Sequence, residues 1–453
     1  MECGLRALQE LILLVRAREK QKIGSLAMKT NYKDKKIISG RDEEAFNEFL
    51  AGKERWNAYV EKHGDDTEVD FSGVDFPKRR KYGDKCNFSG YRFPKKGHVN
   101  FEEANFGGAV VYFDNAKFGE GSVNFNKVNF KSFVRFKYTE FGKGVASFNE
   151  AIFCKDVNFN FAKFGEGGVC FLGTEFRESL FFMMVEFGEG DLSFTGAKFR
   201  GADVYFNGTK FGQGRVFFKE AEFENSDMMF EYCEFKGDVS FRSLKGSDKL
   251  NGLSFRNSIF NKSLDISDNS FNCIPNLSNT KLTNQVSLDR MKVNHPNTYK
   301  KGDGESLCRL KEIAEDNKSY QQALDFHVME MRAKRCERES PFSRILDCFF
   351  DKLCVYGQSI SRPTICLLVS IVVSWGFYGY YSNWNMENSF LYSLSQALPF
   401  VSAGRTSANY NFNKLFTCGA VQEWMYFFSL IQGLFSFLFL FLIGLGLRNR
   451  FRL

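Results

Sequence analysis

Cysteine and histidine are the side chains of this chain with most to offer a reaction, and it has twelve of the first and four of the second. Their spacing withholds that chemistry. Cys3, Cys86, Cys154, Cys170, Cys233, Cys273, Cys308, Cys336, Cys348, Cys354, Cys366 and Cys418 never fall as C-x-x-C, so neither a zinc site nor a disulfide framework is signalled. They read as reduced, buried small residues. His63, His98, His295 and His327 lie far apart with no second ligand beside any of them, so no metal is expected. Five G-x-G steps, at Gly119, Gly142, Gly165, Gly188 and Gly212, suggest phosphate loops. Such a loop is a single turn at a helix N-terminus, whereas these recur at constant period. They are expected to be corner turns in which Gly supplies positive φ. Asp and Glu recur at outward repeat positions and make a solvated face. With no nucleophile, acid/base pair or cofactor loop, the chain is not expected to be an enzyme or to carry a cofactor.

Polar residues do gather at one place. Ser429, Gln432, Gly433 and Ser436 share one helical face of a stretch that is otherwise Phe and Leu. At membrane depth such residues face a water-filled cavity or another helix, so they are pore-lining candidates. Leu440 and Ile443 continue the face and would form an apolar constriction. The alternative is that Ser429 and Gly433 are a small-xxx-small packing contact.

That face must be positioned by a membrane segment. Pro363 to Tyr381 is 19 residues without a charge and Trp424 to Leu447 is 24 more, each long enough to cross a bilayer. Residues 332–362 carry seven Lys/Arg, while the loop from Ser382 to Glu423 carries only Arg405 and Lys414, which predicts both termini in the cytoplasm. Within that loop, Asn388 to Leu398 is apolar but too short to span. Pro399 to Arg405 follows as a turn, the order expected of a re-entrant half-helix. Ser402, Gly404 and Arg405 are then outer-mouth candidates. A ring of Arg405 would repel cations, unless Arg405 pairs with Glu387 or Glu423.

The rest of the chain is dominated by 54 Phe among 453 residues. They recur in pairs five apart, as in Phe101/Phe106, Phe113/Phe118, Phe125/Phe130 and Phe159/Phe164, and successive pairs stand 11 or 12 residues apart. A small apolar residue precedes each by two, as at Val99, Ala104, Val111 and Ala116. This step fits neither one helix face nor long alternating strands, but it suits short strands turned at regular corners. Each coil would then turn its Phe inward and stack it on the coils above and below. After Phe241 and Phe255/Phe260 the step continues with smaller residues as far as Leu288/Val293, giving about nine or ten coils and a rod of about 45 Å. An open solenoid end needs a cap, and residues 43–63, helical in pattern with Phe46, Phe49, Trp56 and Tyr59, are suited to it. Residues 5–20, with the apolar run Leu11 to Val15, read as a helix packed on its neighbours, a helix lying on a membrane, or sequence before a true start at Met28. The predicted organisation is an N-terminal helical cap (1–66), the β-solenoid (67–298), a helical linker (299–360) and a two-helix membrane domain (361–453).

Ala104-Asn105-Phe106, Ala116-Lys117-Phe118, Ala162-Lys163-Phe164, Ala197-Lys198-Phe199 and Ala221-Glu222-Phe223 resemble the units of the pentapeptide-repeat family. That resemblance implies a right-handed parallel β-helix over about half the chain. The lengthened alternate units depart from the family's strict five-residue register. Trp56-Asn57-Ala58-Tyr59 is similar to a segment of membrane-linked members. The order span, half-helix, turn, span resembles two-span pore-loop ion channels. Leu398-Pro399-Phe400 and the tail Gly444 to Arg452 resemble the channel-like module that follows the array in bacterial pentapeptide-repeat proteins. No T-x-G-Y-G is present, so potassium selectivity is not carried over. The favoured expectation is an inner-membrane, homo-oligomeric ion-channel-like protein, a tetramer by preference, with a cytoplasmic β-helix as sensor or docking rod. The alternative is a membrane-anchored scaffold whose β-helix binds a protein partner without conducting ions. Residues 101–250 hold 18 Lys/Arg against 22 Asp/Glu, which gives no nucleic-acid footprint and too weak an acidity for a DNA mimic.

Overall fold

The computed structural model describes residues 36–79, 85–294, 298–335, 340–398, 402–416 and 420–451. The chain divides into two compact units, Met1–Asn297 and Thr298–Leu453.

The first unit is a parallel β-solenoid of about nine turns. Its strands, mostly two residues long, stack into parallel sheets of 11, 8, 7 and 5 strands, with a two-stranded sheet at the C-terminal end. One side runs Val99, Val123, Ala146, Val169, Leu192, Val216, Val239, Leu264 and Val286, each paired in register with the next. From Val99 onward a coil therefore takes 22 residues at its shortest (Leu264 to Val286) and 25 at its longest (Val239 to Leu264), while the first, Val69 to Val99, takes 30. Strands this short gain little from backbone pairing alone, so the interior must hold the coil together.

That interior is four columns of phenylalanine. Phe101, Phe125, Phe148, Phe171, Phe194 and Phe218 stack with centroids 4.8–5.3 Å apart and rings within 11° of parallel. Phe113, Phe136, Phe159, Phe182 and Phe206 form a second column at 4.7–5.2 Å. Neighbouring columns meet edge to face, as Phe113 does Phe125 at 73°, the arrangement ring quadrupoles prefer. The small residues two before each Phe are buried beside them. Where that position is polar, it bonds back to the previous coil: the Thr139 and Thr174 hydroxyls donate to the Phe113 and Phe148 carbonyls at 2.7 Å.

The corners correct one expectation from the sequence. The G-x-G glycines do not supply positive φ. That conformation belongs to the Phe-x-x corners, at Glu103, Asn115, Lys127, Tyr138 and Phe161 among others. There the amide just past the φ-positive residue closes back on the carbonyl of the Phe three residues before it, as Ala104 N–H does on Phe101 O at 3.0 Å. The G-x-G glycines are needed because coils touch there: a Cβ on Gly142 would lie 1.7 Å from Gly119 O, and one on Gly165 2.3 Å from Gly142 O.

Helices α1 (Glu43–Leu50) and α2 (Lys53–His63) cover one end of the Phe interior. Phe49 is fully buried against Phe71 (4.4 Å) and Phe88 (4.5 Å), and Phe46 reaches Phe76. Asn57 pins the cap to a coil backbone, donating to Gly90 O (3.3 Å) and accepting from Arg92 N–H (2.7 Å). Trp56 is fully buried, which is packing. Residues 5–20 lie outside the described residues.

The second unit is helical: α3 (Asp303–Asp316), α4 (Tyr320–Arg335), α5 (Pro341–Cys354), α6 (Ser361–Tyr381), α7 (Met386–Ala397), α8 (Ser402–Leu415) and α9 (Ala420–Arg450). Helices α6 and α9 are long and apolar enough to cross a membrane.

Candidate functional site

The polar face of α9 is where the sequence places function, and its environment is built by α6 and α7. Short α7 packs on both long helices, its exit from α6 held by the Trp375 indole N–H donating to Met386 O at 2.9 Å and by Ser382 against Ser389 at 3.0 Å. A buried cluster of four aromatic rings, Tyr378, Tyr392, Phe412 and Phe416, with Met425 ties α6, α7, α8 and α9 together.

Gln432 sits inside this assembly, 3% exposed. Its Oε1 accepts from the Tyr378 hydroxyl on α6 at 2.9 Å, and its Nε2 donates to Ser393 O (3.0 Å) and Oγ (3.1 Å) on α7. The Ser393 hydroxyl in turn donates to Ile371 O at 2.8 Å. One amide thus joins three helices, and both of its polar ends are satisfied within one chain. Ser429 and Ser436 are buried on the same face; the Ser436 hydroxyl makes no hydrogen bond among the described residues. Gly433, Leu440 and Ile443 are half-buried at its flank. A Cβ added at Gly433 would meet nothing within 4 Å, so within one chain this is not where helices approach closely. Close approach falls instead at Gly446, against Ile360.

The six residues therefore do not form one open stripe. What α6 and α9 turn outward is apolar: Leu368, Val369, Val372 and Val373 on one, Leu430, Leu434, Phe437 and Phe441 on the other, each 49–62% exposed. At the end where α6 leaves and α9 enters, Tyr380, Tyr381, Trp384, Trp424 and Tyr426 are exposed. At the other end are Arg362, Arg448 and Arg450. An aromatic girdle opposite a basic rim is the pattern of two membrane interfaces.

Where the sequence reading expects a turn at 399–405, α8 begins at Ser402 and continues to Leu415. Ser402, Gly404 and Arg405 thus fall in the first turn of a helix. The half-helix at 388–398 corresponds to α7. Pattern reading missed α8 because its residues, among them three Asn and two Ser, are weak helix formers. Its signal was Ala408, Phe412 and Phe416 at spacing four, the positions that enter the aromatic cluster.

The helices preceding α6 are joined by ions. Glu330, 3% exposed, meets Lys311 (2.7 Å) and Lys334 (2.5 Å). Burial alone would raise its carboxyl, but the hydrogen bonds from His327, Lys311 and Lys334 hold it far below the usual carboxylate range. Arg335 donates to Asp347 (2.6 Å) and Asp351 (2.7 Å), and Arg332 to Asp351 (2.9 Å). Burial likewise works to raise Asp351, and these arginines bring it down. The Tyr356 hydroxyl donates to Asp347 at 2.6 Å. Burial and that carboxylate push Tyr356 up to about 12. Among the described residues no three His, Cys, Asp or Glu converge as a metal site. No family description, curated protein or solved structure matches the chain.

Proposed function

We propose that this chain is a membrane-anchored β-solenoid scaffold, held in a bilayer by α6 and α9, with the solenoid as a cytoplasmic docking rod. The observation that carries this reading is the solvent pattern of the two long helices: their apolar windows are only 17% and 28% buried, while their polar groups close inward. Core helices of a water-soluble protein would be covered, and an apolar surface this continuous is stable against lipid. The excess of Lys/Arg before α6 and after α9 supports cytoplasmic termini. The A-x-F units support pentapeptide-repeat kinship, and with it a bacterial inner membrane. Docking is supported by a ridge along one solenoid corner, Tyr138, Phe161, Met184 and Tyr232, each 40–61% exposed. The equivalent positions of another corner carry Glu103, Lys127, Glu150 and Glu220. Labelling of Asn383→Cys from outside intact cells, with Lys352→Cys protected, is the expected topology; the opposite pattern refutes it.

A second reading, an oligomeric ion channel, is favoured by one feature: α7 is a short helix hydrogen-bonded between two spanning helices, as a pore helix would be. Its lining would come from Ser429, Gln432, Gly433 and Ser436, with Leu440 and Ile443 as constriction and Ser402, Gly404 and Arg405 at the mouth. Against it stands the saturation of Gln432 by its own chain. Ion flux through liposomes holding the purified protein separates the two. The scaffold reading expects none above protein-free liposomes, and a flux that Gln432→Leu lowers without loss of insertion would favour the channel.

A further inference from the structure

Helix α5 is inside out. Its sequence places Phe342, Ile345, Leu346 and Phe349 at i, i+3, i+4 and i+7, the stripe that a soluble helix buries against its core. Here those four side chains are 73, 68, 59 and 48% exposed, while the face turned to the protein carries Asp347 and Asp351, at 5 and 9%. The carboxylates are buried because Arg332 and Arg335 reach them from α4 and Tyr356 closes over Asp347. A helix that turns its carboxylates inward and presents its apolar stripe is ordered for an apolar medium on the outside.

The level of that medium is set by hydrogen bonds. The Arg362 side chain at the start of α6 donates to Lys352 O near the end of α5, at 3.4 Å. Asn449, at the last turn of α9, donates to Gly357 O in the joint after α5, at 3.1 Å. The joint itself turns with Val355, Tyr356 and Gly357 all at positive φ (50°, 51° and 83°). The C-terminal end of α5 is thereby fixed beside the ends of both long helices, where Lys352, Arg362, Arg448 and Arg450 are exposed.

We infer that α5 lies in the headgroup boundary of the bilayer, its Phe342, Ile345, Leu346 and Phe349 stripe buried among acyl chains and its basic end on anionic headgroups. The inference rests on the membrane-anchored reading. Lipid fits this surface better than a second copy of the chain. One face of a 14-residue helix is small beside the roughly 800 Å² per partner of a stable interface, and two such faces related by a two-fold axis would bring like-charged rims together. Lipid satisfies the stripe and the cations at once.

The test uses the full chain in liposomes containing anionic phospholipid, with a photoreactive benzoylphenylalanine at one position at a time, and mass analysis of the products. Ile345 and Phe349 are both exposed, so the probe is tolerated at either. Val372, exposed in α6, reports on the anchor, and Glu315, exposed on α3, reports on water. Expected are lipid adducts at Ile345 and Phe349 within about twofold of Val372 and at least about tenfold above Glu315. Adducts to a second copy or to the solenoid, or no adduct at either position while Val372 labels lipid, overturn the placement of α5 alone. No lipid adduct at Val372 overturns the anchored reading and this inference with it.

Discussion

Phe164→Ala removes one rung from the middle of a phenylalanine column. Phe164 is 4% exposed and lies between Phe141 (4.5 Å, 5°) and Phe187 (5.0 Å, 7°), with Phe159 tilted against it at 6.0 Å. A ring of this kind buries about 150–200 Å², worth about 4–5 kcal/mol at about 25 cal/mol/Å². The hole cannot collapse freely, because the coils on either side are spaced by their own bonds: Gly165 N–H to Phe141 O at 3.0 Å and Gly188 N–H to Phe164 O at 2.9 Å. Loss near the upper part of the usual 3–5 kcal/mol range, about 4 kcal/mol, is therefore expected. Phe164→Leu keeps most of the buried area and loses the ring faces, so about 1–2 kcal/mol should go. Lys163→Ala is the control. Its side chain is 65% exposed and its contact with Glu186 is 3.6 Å, so no more than about 0.5 kcal/mol is at stake. Guanidinium unfolding of the detergent-solubilised chain, followed by β-sheet circular dichroism, gives the midpoints. Equal midpoints for Phe164→Ala and Lys163→Ala would refute an interior of stacked rings. A Phe164→Leu loss as large as that of Phe164→Ala would assign the stability to ring stacking rather than burial.

Gly142→Ala should cost about 3 kcal/mol or prevent folding, since its methyl would fall on Gly119 O, whereas Gly196→Ala, at φ +64° with open space, should cost about 1 kcal/mol; unfolding midpoints compare them. Gln432→Leu strands the Tyr378 hydroxyl and the Ser393 pair, and should lower stability of the helical unit by about 2–3 kcal/mol, read as faster amide exchange in α7. Glu330 and Asp351 are held below their ordinary values, so the stability they supply is present above the usual carboxylate range and is lost as pH falls through it towards their folded values. Helical circular dichroism should report loosening of α3–α5 between about pH 5 and pH 2, and Glu330→Gln should flatten that response.

Much of the solenoid was legible because Phe at a fixed step admits few geometries. Phe101 and Phe106 face inward on adjoining sides, and the Val and Ala two before them leave room only for a small group. What the glycines do was not legible. Gly142 and Gly196 are the same residue type in the same array, yet the first is required by a neighbouring carbonyl, while the second stands in open space at a corner whose equivalent positions carry Glu103, Lys127 and Glu150, and only the stacking of coils distinguishes them. The two long helices were legible from length and absence of charge. The polar face was legible as a face, but its partner was not: Ser429 and Gln432 at helical spacing say that something polar lies opposite, and Tyr378 and Ser393 are 54 and 39 residues from Gln432 in sequence. Helix α5 was hidden for a related reason. Its apolar spacing is that of any packed amphipathic helix, and only the inward turn of Asp347 and Asp351 shows which face is covered.

Helices α6 and α9 are proposed to hold this chain in a bilayer. Alkaline extraction of membranes from cells making the full chain measures it directly. The chain is expected to stay with the membrane pellet, and Leu368→Arg with Val372→Arg, which places two charges on the outward face of α6, is expected to release it. Recovery of the unaltered chain in the alkaline supernatant would contradict it.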